Sequence, residues 1–415
     1  MLNEHFNQSH IGYCTNVHPG ESLEEIKTNL IRFSAKVKEM RGLNEMEIGL
    51  WLSHQAVVEL KRNRNLKQLQ QLLKELGLNV RSLNGFPYGS FNQSNQSNQS
   101  NQSLVKTAVY HPNWYTQERL EYTIDLIDIL AALLPNEVTT GVISTLPLSY
   151  KSDSSEQYLN PKLLNQLQKT LNHCALIEQQ TGKRVLIAIE MEPDCSLESA
   201  DQLIDFFDNI QPMLASNHYL TACLDICHQA VNLESISKTI EKLQQANITI
   251  SKFQLSNALK IDLKQMPLAQ LAQVPFLKKL IHSPWLHQTR LLINSQERLR
   301  FDDFKTLFDH HSTSLQSKLN QAQSAEALVH CHIPINYAQI PLANDLNLET
   351  TQPQLLCAIE KLKTMWQSEN VDPVVEVETY TWTLLYNLTT DELCQAIAEE
   401  LVWLESQLTP NAEFA

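Results

Sequence analysis

Short β-rich runs alternate with longer amphipathic stretches along almost the whole chain, and this alternation limits the possible folds more than any other feature. The β-like runs cover residues 11–17, 48–53, 80–85, 141–146, 185–191, 220–227, 250–256 and 374–379. Apolar residues at helical spacing fill 23–37, 57–76, 116–134, 161–180, 199–214 and 235–245. A strand followed by a helix, repeated eight times, predicts an α/β fold in which a parallel sheet closes into a (β/α)8 TIM barrel. A doubly wound open sheet is the rival, because it shares the alternation.

Two connections break the regular spacing. The one after the third strand carries Asn-Gln-Ser four times over residues 92–103, with nothing apolar to bury, and reads as a disordered loop. The other, 257–372, separates the seventh strand from the eighth and holds helical stretches plus a ninth β-like run at 327–333. Nothing resembles a linker, so residues 1–415 read as a single barrel domain with an elaborated connection before its last strand.

The chain carries 32 Lys plus Arg against 46 Asp plus Glu, a formal charge of −14. Nucleic acid and anionic membranes are therefore poor partners, since clustered positive charge supplies most of their affinity. Only 9 glycines occur, with no GxGxxG and no GxxxxGK[ST], which removes the main support for dinucleotide or P-loop binding. A site built from side chains fits better. The first residues lack the basic start and apolar core of a signal peptide, and no apolar run is long enough to span a bilayer. A cytoplasmic location is the expectation, with most of the eight scattered cysteines kept as buried thiols.

Polar residues collect at the C-terminal ends of the strands, where a barrel places its active site. The fifth strand ends Glu190-Met191-Glu192-Pro193, the sixth Asp225-Ile226-Cys227-His228, the seventh Gln254-Leu255-Ser256, and the eighth Glu376-Val377-Glu378-Thr379-Tyr380. Residues two apart on a strand point the same way about 6.6 Å apart, so Glu190 and Glu192 share a face, as do Glu376 and Glu378. One carboxylate at a strand end is as readily a helix N-cap. Several in one concave mouth repel each other unless they are protonated, paired or holding a cation. With His228 near, and His330 and His332 in the long connection, a divalent metal such as Zn²⁺ or Mn²⁺ is the economical reading. His18, Asn84, Tyr380 and Trp382 sit near strand ends and are candidates for substrate contact. A solvated or packing role is the plain alternative for His18 and Trp382.

CLDICH at Cys223–His228, LIAIE at Leu186–Glu190 and the Glu378-Thr379 pair resemble the xylose-isomerase-like barrel superfamily. Sugar isomerases, sugar epimerases and the endonuclease IV type of nuclease belong to that group. More narrowly, CTNVHPGES at Cys14–Ser22, LNGFPYG at Leu83–Gly89, VYHPNW at Val109–Trp114, ISTLPL at Ile143–Leu148, HCHIP at His330–Pro334 and VEVETYTW at Val375–Trp382 resemble the EboE family of metabolite-traffic proteins. The resemblance implies a role in moving or processing a secondary metabolite, such as the sunscreen pigment precursor of cyanobacteria, with other proteins of the same gene cluster as partners. It also implies metal ligands at Glu190, Asp225 and Glu378, with His228 following the Asp. The seventh-strand ligand, usually His, falls on Gln254, a weak neutral donor, and His332 is a candidate replacement. Glu190, His228 and Glu378 are then the candidate acid and base groups, and Glu192 a substrate contact. The expected activity is metal-dependent isomerisation or epimerisation of a small metabolite. The alternatives are a non-catalytic carrier or scaffold and, third, an endonuclease IV-like hydrolase.

Overall fold

Parallel pairing runs without interruption through the strands that the alternation predicts. The computed structural model describes residues 10–89, 106–150, 159–283, 285–309, 313–342, 347–367 and 372–409. The Asn-Gln-Ser tract lies outside them. In chain order the strands are β1 (Ile11–Tyr13), β2 (Met46–Trp51), β3 (Leu78–Asn84), β4 (Thr140–Thr145), β5 (Arg184–Glu190), β6 (Leu220–Asp225) and β7 (Ile250–Leu255). After them come β8 (Asn257–Asp262), β9 (Thr289–Ile293), β10 (Glu297–Phe301), β11 (Ala325–Ile333), β12 (Gln339–Pro341), β13 (Asn347–Thr350) and β14 (Val374–Val377).

β1 to β7 and β14 form one parallel sheet in the order β1-β14-β7-β6-β5-β4-β3-β2. A parallel bridge between Cys14 and Gly49 joins the two outer strands. The sheet is thus an almost closed eight-stranded barrel, and the open doubly wound sheet is excluded. Strands such as β5 (RVLIAIE) are nearly continuous apolar runs because both their faces are covered. The outer helices start on strong caps. Ser22 with Glu25, Ser199 with Gln202 and Thr389 with Glu392 form capping boxes, and Gly182 ends helix Pro161–Thr181 at φ +71°. The predicted helix at 57–76 is in fact two, His54–Leu60 and Asn65–Leu76, separated by a polar KRNRN turn with Asn63 at φ 52°.

The connection before β14 holds a second sheet. β8 to β13 pair antiparallel in the order β10-β9-β11-β8-β13-β12, over a hydrophobic cluster that includes Leu259, Ile261, Leu277, Leu291, Phe304 and Val329. β8 starts two residues after β7 ends, so the chain passes from the barrel mouth straight into this sheet. Ile333 at the end of β11 pairs with Asn257 at the start of β8, which returns β11 to the same mouth. Asn257 Nδ2 donates to Pro334 O at 2.9 Å and secures that return. The inserted sheet is also fastened to the loop after β5. Arg290 donates to both oxygens of buried Asp194, at 2.8 and 3.3 Å. No helix among the described residues is long and apolar enough to cross a membrane.

Glu400, on the C-terminal helix Thr390–Leu408, ties the rim together. It accepts from Ile335 N at 2.8 Å, Thr379 Oγ1 at 2.7 Å and Trp382 Nε1 at 3.3 Å. Burial pushes its carboxyl up to about 7 against this pull. Between the ordinary value of 4.5 and about 7 the folded chain therefore binds more protons than the unfolded one. This group's contribution to stability is complete below 4.5 and is lost as pH rises through about 7. In urea titrations, wild type should lose roughly 3 kcal/mol relative to Glu400→Gln between pH 4.5 and 7.5. Parallel pH profiles for the two proteins would contradict the assignment.

Candidate active site

The barrel interior carries polar side chains in two tiers, set by strand alternation. In the deeper tier Glu376 of β14 meets Lys252 of β7, Nζ to Oε2 at 3.0 Å, with both side chains almost fully buried. Lys252 Nζ also donates to Ser144 Oγ at 3.2 Å, while Cys14 Sγ donates at 3.3 Å, and Ser82 Oγ also donates, to Glu376. Burial works against the Lys252 charge, but Glu376, ahead of the other acidic groups, holds the proton and raises its pKa. A glycine makes room for this pair: a Cβ on Gly49 would lie 2.1 Å from Glu376 Oε2.

Glu190, Asp225 and Glu378, from the ends of β5, β6 and β14, form the upper tier. They present oxygens that all lie within 4.8 Å of one another, and all three residues are buried. Desolvation, then mutual repulsion, raises the Glu190 carboxyl well above the carboxylate range, and Glu378 is pushed up to about 8 by the same causes. Asp225 is raised by burial, partly offset by His332 and by backbone N–H groups. Glu378 is heavily bonded, accepting from Asn16 Nδ2 at 3.2 Å, from Asn84 Nδ2 at 3.3 Å, and from Tyr380 OH and Gln254 Nε2. In contrast, Glu190 Oε2 and Asp225 Oδ2 are buried with no hydrogen-bond partner among the described residues. Two orphaned acceptors in one carboxylate cluster fit a divalent cation held by Glu190, Asp225 and Glu378.

Gln254 stands where the resemblance places a fourth ligand. Its Oε1 accepts from Cys223 Sγ at 2.5 Å and its Nε2 donates to Glu378. The amide braces Glu378 and turns an N–H, not an oxygen, toward the cluster. Above lie three imidazoles. His228 Nε2 is 3.1 Å from His330 Nε2, which is 2.7 Å from His332 Nε2. Burial lowers His228 to about 3 and His332 to about 4, and burial with the neighbouring imidazoles puts His330 well below its ordinary value, so all three are neutral. β11 reaches this arrangement through a break in its register with β8 between Val329 and Ile333 and a positive φ of 45° at His332. Such a conformation in a non-glycine residue costs on the order of 1–3 kcal/mol and persists where its surroundings impose it.

A cavity of about 110 Å³ lies between the barrel mouth and the inserted sheet. Asn84, Glu190, Glu192, His228, His332, Glu378 and Tyr380 line it. His18 and Trp382 do not. His18 bonds Tyr13 OH at 2.9 Å and stacks on Phe33 in a separate small pocket. Trp382 is buried against Glu400 and Tyr337. Both are buried packing residues. Tyr110 and His287 also line the cavity, with Gln288 beside them and Lys252 beneath, and no sequence motif marks their roles. Tyr110 OH donates to Glu192 Oε1 at 2.7 Å, and Gln288 Nε2 donates to Tyr110 OH at 2.9 Å. Burial pushes Glu192 up to about 8 despite these donors.

No family model and no curated protein matches the chain. Among solved structures it is similar to an IOLI protein with a bound zinc atom, at 12% identity over 96% of this chain and 99% of that one, TM-score 0.47. It is also similar to a xylose isomerase-like TIM barrel protein from Mycobacterium smegmatis in complex with magnesium, at 10% identity over 96% and 97%, TM-score 0.46. A D-tagatose 3-epimerase-like protein is similar at 14% identity over 96% and 99%, TM-score 0.45. The fold itself is an almost closed eight-stranded parallel barrel.

Removing one partner of the deeper pair leaves a buried charge without its counterion. Lys252→Met should cost about 3–5 kcal/mol, and adding Glu376→Gln should recover most of it. Additive losses in urea denaturation of the single and double variants would show that the two groups do not depend on each other.

Proposed function

We propose that the protein is a metal-dependent isomerase or epimerase of a small polyhydroxylated carbonyl compound. The observation that carries this reading is the pairing of Glu190, which has an unpartnered oxygen, with Glu378, which is braced by four donors, at the floor of one cavity. β6 and β7 separate their strands in the ring, so the two carboxyls approach a bound molecule from different sides.

Proton transfer at a carbon next to a carbonyl needs a base to remove the proton and an acid to return one. Glu190 Oε2 takes the C–H proton, leaving an enediolate. Glu378, carrying a proton, returns it to the same carbon from the other side, giving the epimer, or to the neighbouring carbon while the hydroxyl proton passes to the former carbonyl oxygen, giving the isomer. Asn16, Asn84 and Tyr380 hold the Glu378 carboxyl in place. A divalent cation on Glu190, Asp225 and Glu378 supplies polarisation of the carbonyl oxygen. Phe86, Tyr110, Trp285 and Leu286 give the cavity an apolar flank that keeps water from the intermediate.

The finer reading, an EboE-type metabolite-traffic protein acting on a secondary-metabolite precursor, rests on the sequence blocks. One observation favours a non-catalytic carrier: Gln254 is spent bracing Glu378. Incubation of the manganese- or zinc-loaded chain with a panel of ketoses and keto-polyols in D₂O separates the two. Solvent deuterium should enter the carbon beside the carbonyl, at a rate about 10²–10⁴-fold lower in Glu190→Gln or Glu378→Gln. A compound that binds in the cavity yet returns without deuterium would replace the enzyme reading with the carrier.

A further inference from the structure

We propose that the molecule this cavity takes carries an apolar substituent beside its reacting carbons and no phosphate or carboxylate. This substrate class rests on the isomerase reading for its reacting end, while the selectivity comes from the cavity walls. Carboxyls and the Asn84 amide make the floor. The flank is different in kind. Phe86, Pro87 and Val109, from the stretch after β3, line the same space as Trp285 and Leu286 of the inserted connection. Trp285 stacks on Tyr380 with ring centroids 6.4 Å apart and planes at 28°, and Tyr380 OH donates to Glu378. The apolar flank therefore reaches the floor at this pair of rings. A plain keto-polyol can offer the flank only hydroxyls, which would lose water without gaining a partner. An alkyl or aryl group in the same place gains affinity by burial, roughly fourfold per CH₂.

Charge excludes the anionic alternatives. Lys106 is the one Lys or Arg among the described residues that line the cavity, and its Nζ lies 2.6 Å from Asp303 Oδ2. The two side chains are only 11% and 10% exposed. Asp303 is fixed from its other oxygen, where Oδ1 accepts from Lys305 N at 3.2 Å. A phosphate that took Lys106 away from Asp303 would leave a largely buried carboxylate without its counterion, which is strongly unfavourable. His287, which also lines the cavity, offers no charge in exchange, since burial lowers it to about 4. An anion would also meet the carboxyls of Glu190, Glu192 and Glu378, which already repel one another. Lys106 thus selects by being committed: paired with Asp303, it gives an anionic group nothing to bind.

Calorimetric binding to the full, manganese-loaded chain tests this class. The D- and L-ketopentoses are each supplied free, as the 5-phosphate and as the 5-O-benzyl ether, and compared in the configuration that binds most tightly. The benzyl ether should bind about 10–100-fold more tightly than the free ketose, and the phosphate at least about 10-fold more weakly. Asp303→Asn keeps an acceptor for Lys305 N but releases Lys106, so the ratio of phosphate to ketose affinity should rise at least about 10-fold. Val109→Asn should shrink the benzyl preference by about threefold or more. A phosphate that binds wild type as well as the ketose would overturn the inference, as would a benzyl ether that binds no better than the ketose. So would a phosphate ratio unchanged in Asp303→Asn. Deuterium exchange is scored on the same compounds: the expected order of binding without deuterium incorporation would remove the isomerase reading and leave this selectivity standing.

Discussion

The interior of this barrel gathers more negative charge than it can hold alone. Glu376, Glu378, Glu190 and Asp225 lie buried within two tiers, and Lys252 is the fixed cation among them. Coulomb repulsion inside a protein is too strong for all four to ionise around one ammonium. The deeper pair settles its own balance, Lys252 against Glu376. The upper tier is left to hold protons or a cation, which makes it reactive. The rest of the architecture follows from this: Gly49 opens space for Glu376, and Asn16, Asn84, Gln254 and Tyr380 spend their donors on Glu378.

The inserted sheet converts that floor into an enclosed site. A barrel mouth is ordinarily roofed by its βα loops. Here β8 leaves directly from β7, and β11 comes back antiparallel beside it, shifting register between Val329 and Ile333 and carrying His330 and His332 over the carboxylates. Arg290 on Asp194 holds the far edge. The roof is a folded unit with its own apolar cluster, so its side chains can be placed as firmly as those of the barrel. Tyr110, Glu192 and Gln288 link the two parts through one hydrogen-bonded chain beside the cavity.

The barrel was legible because its strands are buried on both faces and punctuated by polar ends. Residues 185–191, the β-like run VLIAIEM, correspond to β5, and Glu190 ends it. Lys252 was legible in principle: it shares its face of β7 with Gln254, two residues on, which marks it as pointing inward. The insertion was much less so. β12 and β13 span three and four residues, too short for any period to show. His287 and Gln288 precede β9 in irregular chain, and no local signal marks them. His330 and His332 were visible as a pair, but their convergence on His228 depends on the register of β11 against β8, which is a tertiary fact.

The most direct test of this charge balance is calorimetric titration of the metal-free chain with a divalent cation near pH 7, in two buffers of different ionisation enthalpy. With Glu378 pushed up to about 8 and Glu190 raised well above the carboxylate range by burial and its acidic neighbours, the upper tier carries protons that a cation must displace. Binding should therefore release at least one proton per chain, with less release in Glu378→Gln. Binding without any proton exchange would show that these carboxylates are already ionised, and would contradict the balance from which the site has been built.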